Sequence, residues 1–276
     1  MARVIRRLGG NVVAVFPAGG PIGGLLQTLL IAESVTGIAV PIAGDTREDI
    51  TIDEQITGAQ YRFVLPGPQL RAGESESLIA ALEANLPARG FVVASGSLPP
   101  GLDPGFYGAI SRLVVASGAR FVLDSSGPAL AAALNTGAFM IKPSLRELRE
   151  LTGQALTQER SWLEAARALI SRYPVQWVAL TLGEMGALLV SDSVALRATA
   201  PKIAPVSTVG AGDSFLGALV WALAEGQDVR MALRFAVASG TAAMLARGTD
   251  LSHPVDIESL LAKVEVHDFE SLPAFA

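Results

Sequence analysis

The chain contains no cysteine, which removes disulfides, zinc–thiolate centres, iron–sulfur clusters and thiol nucleophiles in one step. Histidine is nearly absent too: His253 and His267 both lie near the C-terminus, so a His-rich metal site or a histidine relay is not expected. Lysine is confined to Lys142, Lys202 and Lys263, and 21 basic residues are set against 26 acidic ones. With a net charge of −5 and a pI of 5.2, the chain lacks the cationic excess from which nucleic-acid binding draws its affinity. Nucleic acid is therefore not an expected partner.

Long apolar runs are missing as well. The longest charge-free stretch, Leu8 to Ala32, carries six glycines, Pro17, Pro21, Asn11 and Gln27, and does not read as a membrane span. The apolar run Val12–Phe16 behind Arg3, Arg6 and Arg7 stops at Pro17 after five residues, short of the ~7–15 that a secretory signal requires. A cytoplasmic protein without a membrane partner is the expectation.

What is present is core-forming material. Half of the 276 residues are apolar and 17% are charged, a balance far from that of disordered chains. Short β-rich runs at Val12–Phe16, Phe91–Ser95, Phe121–Asp124, Met140–Ile141 and Trp177–Leu182 read as buried strands. They alternate with helical patterns at Ser75–Leu86, Pro104–Ala116 and Ser144–Leu151, the mark of βα units around a largely parallel sheet. Trp162, Ala165, Ala166, Leu169 and Ile170 form an i, i+3, i+4, i+7, i+8 stripe suited to covering such a sheet. One region departs from this alternation: Ile50–Ile52 and Tyr61–Leu65 flank Thr57-Gly58 and predict an antiparallel hairpin. With Ile38–Ile42 the hairpin is expected to form a small sheet, a lid or dimerisation surface within about residues 38–66. Tyr61, Phe63 and Leu65 would share one of its faces and Arg62 would point to the other.

The segment Ser207-Thr208-Val209-Gly210-Ala211-Gly212-Asp213-Ser214 precedes an apolar helical run. Small residues let the backbone turn tightly into a helix, whose first amides and positive dipole end then converge on one spot fit for an anion. Asp213 beside that anion is placed to take a proton from an attacking hydroxyl. The plainer alternative is that Asp213 is a first-turn helix acid and the glycines only shape a turn. Other phosphate-binding signatures are absent. None of the three lysines follows the glycines of a P-loop, no His-Arg-Asp catalytic loop occurs, and the glycines of Ala18–Gly24 miss the dinucleotide spacing. Ser95–Gly101 ends a strand with hydroxyls and a proline-stiffened turn, a plausible sugar or phosphate edge. In Lys142–Leu148, Glu147 either caps a helix from Ser144 or holds magnesium through water. Thr181–Gly186 is open to reading as a simple hairpin turn.

Together, Pro17–Gly20, Thr46-Arg47-Glu48, Tyr61–Gly67, Ser95–Gly101, Asp124–Gly127, Lys142–Leu148 and Ser207–Ser214 resemble, in this order, the PfkB group of ribokinase-like sugar kinases. The Tyr61–Gly67 run is what points to the 6-phosphofructokinase branch. The resemblance implies one α/β domain over 1–276, a three-layer ribokinase-like fold with a mostly parallel central sheet and a small β lid. It also implies use of ATP to phosphorylate a sugar phosphate, fructose 6-phosphate to fructose 1,6-bisphosphate, while the apolar face of the hairpin is expected to make the protein a homodimer. Tagatose 6-phosphate or fructose 1-phosphate kinase activity, or an impaired binding remnant, are the alternatives.

By resemblance, Gly210, Ala211 and Gly212 supply the anion hole and Asp213 is the base. Arg62 and Ser97 hold the phosphosugar, and Lys142, Ser144, Thr181, Gly183, Gly186 and Thr241 contact nucleotide. Glu147 organises Mg²⁺, and Ser207, Val209 and Gly248 match loops for a monovalent cation such as K⁺. The family's pattern departs here at Ser144, Asp49 and Ala246, where it has asparagine. Its opening strand, with a sugar-binding aspartate, and a Gly-rich stretch ending in asparagine precede the helix with which this chain starts, so the chain is expected to lack that N-terminal segment.

Overall fold

Alternation of side chains along each strand builds the molecule in three layers. The computed structural model describes residues 1–269 apart from Gln55, Gly58 and Ala59, and not the side chains of Asp53 and Arg62. In chain order the elements are α1 (Ala2–Arg7), β1 (Val13–Ala18), α2 (Gly20–Ala32), β2 (Thr36–Pro41), β3 (Asp49–Asp53), β4 (Gln60–Val64) and α3 (Glu74–Glu83). Then come β5 (Phe91–Ser95), α4 (Phe106–Ala116), β6 (Arg120–Asp124), α5 (Gly127–Leu134), β7 (Ala138–Ile141), α6 (Leu145–Thr152), α7 (Glu159–Arg172) and β8 (Val175–Thr181). A single 3-10 turn (Gly183–Met185) leads to β9 (Ala187–Val190) and β10 (Ala195–Thr199), followed by α8 (Ala211–Ala224), α9 (Val229–Ala243), α10 (Pro254–Leu261) and β11 (Glu265–Asp268).

Strands β5 to β11 form a seven-stranded sheet in the order β11-β10-β9-β8-β7-β6-β5. Pairing is parallel from β5 to β8 and antiparallel from β8 to β11. Phe121, Leu123, Val178, Leu180 and Leu188 enter one core with α4, α5, α6 and α7; Val122, Ala179 and Leu189 enter the other with α8, α9 and α10. The period of two therefore serves both faces at once, which is why these strands carry near-continuous apolar runs. The stripe on α7 is buried at all of its predicted positions. At α8 the approach of α1 is close: a Cβ on Gly217 would lie 3.2 Å from the Met1 carbonyl oxygen and from Val4 Cβ. Among the described residues no helix is long and apolar enough to cross a membrane.

Three expectations are corrected. Val12–Phe16 is not a strand of the large sheet: β1 pairs in parallel with β2 alone, and Val13 remains 47% exposed. A five-residue apolar run cannot say how many of its faces will be covered. Likewise β5 is an edge strand of the large sheet, and its residues are only partly covered. Finally, the residues of Ile38–Ile42 do not join the hairpin. β2 takes β1 as its neighbour because α2 makes the two a βαβ unit, while β3 and β4 form a separate antiparallel pair. The hairpin register is otherwise as the alternation implies, with Ile50 opposite Phe63 and Ile52 opposite Tyr61; its turn residue Gly58 lies outside the described residues.

The β8–β9 turn requires glycine at one position. Gly186 has φ +100°, and an added Cβ would fall 2.1 Å from the Ala198 carbonyl oxygen, whereas Gly183 at φ +63° has no neighbour in range. Gly186→Ala is expected to destabilise the fold by at least the ~1–3 kcal/mol of a strained backbone, and Gly183→Ala by clearly less. Thermal unfolding of the two variants side by side checks the order.

Candidate active site

Four parallel strands end side by side, and their carboxyl ends carry the polar clusters read from the sequence. Ser95 pairs with Asp124 in the last register position of β5 and β6, and the Gly96 amide donates to the Asp124 carbonyl at 2.9 Å. The Lys142 amide donates to the Leu123 carbonyl at 3.0 Å, which sets the end of β7 beside that of β6. Thr181, at the end of β8, bridges to Ser144 and donates its amide to the Pro143 carbonyl at 3.0 Å. Opposite these ends opens the first turn of α8. The result is a cleft of about 630 Å³ lined by Ser95–Ser97, Asp124–Ser126, Glu147, Thr208–Gly210, Gly212 and Asp213, with Gln60, Arg3, Thr249 and Leu251 at its sides.

Gly210 caps α8 with φ +79°, a left-handed conformation that glycine adopts without strain. The first helical bond runs from the Ser214 amide to the Gly210 carbonyl at 2.8 Å. The amides of Ala211, Gly212 and Asp213 thus stand before the helical ladder, at the positive end of the dipole. Asp213 lies in that first turn, 48% exposed, with Oδ1 3.9 Å from the Met1 ammonium nitrogen. This is a helix mouth with open amides and a carboxylate at its rim.

Lys142 is 7% exposed and its Nζ lies 3.0 Å from Asp124 Oδ1. The same Nζ would be 3.9 Å from a Cβ placed on Gly212, so the cation sits against the α8 mouth. Burial pushes the Asp124 carboxyl up; Lys142 pulls it back, while the charges of Asp213 and Glu147 add to the rise. The Gly96 carbonyl is held by two donors, Tyr107 Oη at 2.9 Å and Ser125 Oγ at 3.0 Å. Burial, aided by the charge of Asp124, pushes the Tyr107 hydroxyl up to about 12 and keeps it a donor.

Of the predicted residues, Ser97, Glu147, Val209, Gly210, Gly212 and Asp213 line the cleft, Ala211 opens the helix between them, and Lys142 stands directly behind. Glu147 completes a capping box, accepting from the Ser144 amide at 2.7 Å while its own amide donates to Ser144 Oγ at 3.3 Å. The helix-capping reading of Glu147 is therefore realised, and the same residue also faces the cleft. Among the described residues no group of three or more His, Cys, Asp or Glu is arranged for a metal. Magnesium typically takes one or two carboxylates and fills its shell with water and phosphate oxygens, and Glu147 offers one such carboxylate at the cleft.

Ser207 Oγ donates to the Gly248 carbonyl at 3.2 Å and accepts from the Val209 amide at 3.2 Å, so the three expected cation-loop residues are neighbours. Gly183 and Gly186 bound the β8–β9 turn, which is indeed a hairpin connection, placed next to Ser144. Thr241 is not brought to the cleft: it is buried within α9 and donates its hydroxyl to the Val237 carbonyl at 2.8 Å. Arg62 stands opposite Thr51 in the hairpin, and its side chain lies outside the described residues.

Sequence reasoning missed Asp124 as the partner of Lys142, Tyr107 as a support of Gly96, and Gln60. Gln60, on the hairpin, reaches Ser207 Oγ and Thr208 Oγ1, each at 3.4 Å. The strand-end position of Asp124 was the available signal; nothing local marks the other two.

Comparison with known proteins agrees with this geometry. Residues 1–256 match the family model described as pfkB family carbohydrate kinase. The chain is 40% identical over 258 residues to the ATP-dependent 6-phosphofructokinase isozyme 2 of Mycobacterium tuberculosis, covering 94% of this chain and 76% of that protein. It superposes on the crystal structure of phosphofructokinase-2 from Escherichia coli in complex with potassium at a TM-score of 0.90 and 36% identity, covering 95% of this chain and 85% of that one. A ribokinase from Arabidopsis thaliana shares the fold at a TM-score of 0.74 and 18% identity, covering 94% of this chain and 85% of that one. With the helix mouth, its carboxylate and the strand-end loops all falling inside the matched region, the chain belongs to the pfkB family of carbohydrate kinases and has their ribokinase-like α/β fold.

Proposed function

We propose that this kinase transfers the γ-phosphoryl group of ATP to the C1 hydroxyl of fructose 6-phosphate. The observation that carries the reading is the meeting, in one cleft, of Asp213 and the open α8 amides with the hydroxyl-bearing β5 loop. Phosphoryl transfer asks a protein mainly to align two substrates and neutralise charge, and this cleft has the means for both. Asp213 accepts the proton of the attacking hydroxyl. The amides of Gly210, Ala211 and Gly212 donate to the migrating group, each donor of this type being worth about 2.7–4 kcal/mol. Ser97 holds the phosphosugar. Arg62 clamps its existing phosphate, for which a guanidinium fork is well matched.

ATP lies over Lys142, Ser144, Thr181, Gly183 and Gly186. Glu147 is the residue that would hold Mg²⁺, which when bound offsets the charge of the nucleotide phosphates. The oxygens of Ser207 and Gly248, with the backbone at Val209, are of the kind an alkali cation takes, and K⁺ is the ion proposed there. The whole chain acts as one domain in the cytoplasm, with the β3–β4 hairpin as lid. A second copy packs on the hairpin face that carries Ile50, Ile52, Tyr61 and Phe63, each about half exposed (51%, 50%, 52% and 51%).

Wild type, assayed for ADP release over a panel of phosphosugars and free sugars, is expected to prefer fructose 6-phosphate. A preference for an unphosphorylated sugar would overturn the reading of Arg62, and a preference for tagatose 6-phosphate or fructose 1-phosphate would reassign the substrate. Asp213→Asn should keep ATP affinity and lose about 10²–10⁴ in kcat, the usual worth of a general base. Asp124→Ala strands a buried ammonium on Lys142 and should cost about 3–5 kcal/mol, read from denaturant unfolding. Light scattering at micromolar concentration should return twice the chain mass; a monomer would refute the hairpin interface.

A further inference from the structure

Two arginines one helical turn apart on α1 reach the 249–251 segment of the cleft wall, Arg3 itself lining the cleft and Arg7 standing behind. Arg7 donates to Asp250 Oδ1 at 2.9 Å and to the Leu251 carbonyl at 3.0 Å, and its Nη2 stands 3.2 Å from Glu33 Oε2. Arg3 binds Glu33 through Nε at 2.7 Å and also through Nη2, and donates to the Thr249 carbonyl at 3.4 Å. Asp250 in turn accepts from the Leu251 amide at 2.8 Å and pairs with His253 Nε2 at 2.9 Å. Both carbonyls of the segment that flank Asp250 are thus gripped by one helix.

That segment touches the anion hole directly. Thr249 and Leu251 line the cleft, and Leu251, 7% exposed, packs on the cap of α8: a Cβ on Gly210 would lie 2.5 Å from Leu251 Cδ2. The left-handed turn at Gly210 therefore has Leu251 as its backstop, and Arg7 and Asp250 hold the backbone from which Leu251 projects. We propose that Arg7 and Asp250 are positioning residues: acting through Leu251, the pair sets the orientation of the Gly210–Gly212 amides. Arg7 is 19% exposed and makes four polar contacts in a planar fork, which fits a group that fixes geometry better than one that merely adds surface charge. The catalytic consequence rests on the phosphoryl-transfer reading above; the structural consequence does not.

The test compares Arg7→Gln, Asp250→Asn, their double variant and Arg7→Lys in the full-length chain by hydrogen exchange and by kinetics. Either single change should speed exchange in peptides covering 207–214 and 248–252 by about tenfold while β8 and β9 keep their protection. The double variant should be no worse than the more severe single, because residues of one network do not add, and Arg7→Lys should recover part of the protection. In turnover, kcat for fructose 6-phosphate should fall about tenfold with the KM for ATP within a factor of two, since the defect is in orienting amides that act on the transition state. Unchanged exchange at 207–214 in either single variant, a uniform rise across the whole sheet, or additive effects in the double variant would each overturn the proposal. If wild type phosphorylates no phosphosugar, the functional reading falls, and the exchange pattern still decides the positioning role.

Discussion

The first amides of α8 have no carbonyl one turn back to bond, and a helix that opens into a cleft must find partners for them outside itself. That constraint organises the rest of the molecule. Gly210 turns the chain so that the mouth of α8 faces the carboxyl ends of β5 to β8, the place where a parallel sheet leaves loops free to carry function. A carboxylate stands at the rim of this mouth and a buried lysine behind it. The turn depends on glycine at 210, where φ is +79° and an added Cβ would fall 2.5 Å from Leu251 Cδ2.

Charge in this site is held in a tight balance. Lys142 is almost wholly covered, and a lone ammonium there would be costly; Asp124 supplies the opposite charge at 3.0 Å. Burial pushes the Asp124 carboxyl up and the nearby carboxylates of Asp213 and Glu147 add to the rise, while Lys142 is the group that opposes it. A polyphosphate bound as proposed would add negative charge to a site already holding Asp124, Glu147 and Asp213, which would give the open amides and a magnesium ion at Glu147 an electrostatic task.

Elements remote in sequence close the walls. The hairpin lends Gln60 to the Ser207 loop, and α1 lends Arg3 and Arg7 to the 249–251 segment, 243 positions on from Arg7 in the case of Asp250. The two cores on either face of the large sheet keep these distant parts in register. A cleft assembled from strand ends, a helix mouth and two outlying braces exists only once the layers have packed.

Much of this was legible in residue order. Period-two alternation revealed the antiparallel hairpin, the 3.6-residue stripe revealed α7, and the run Gly210–Asp213 revealed a helix mouth with an acid in its first turn, because each of these is a local pattern set by backbone geometry. The same patterns were silent about neighbours. That β2 would pair with β1 and not with the hairpin, that Thr241 would turn its hydroxyl to Val237 inside α9, and that Glu147 would both cap α6 and face the cleft were all decided by packing. So were the pairs Lys142–Asp124 and Arg7–Asp250. An ion pair between two ends of a chain leaves no periodicity to read. Residue order alone determined which short stretches turn, alternate or cap; which of them meet was left to the burial of two apolar faces, a property of the whole sheet and of no single segment.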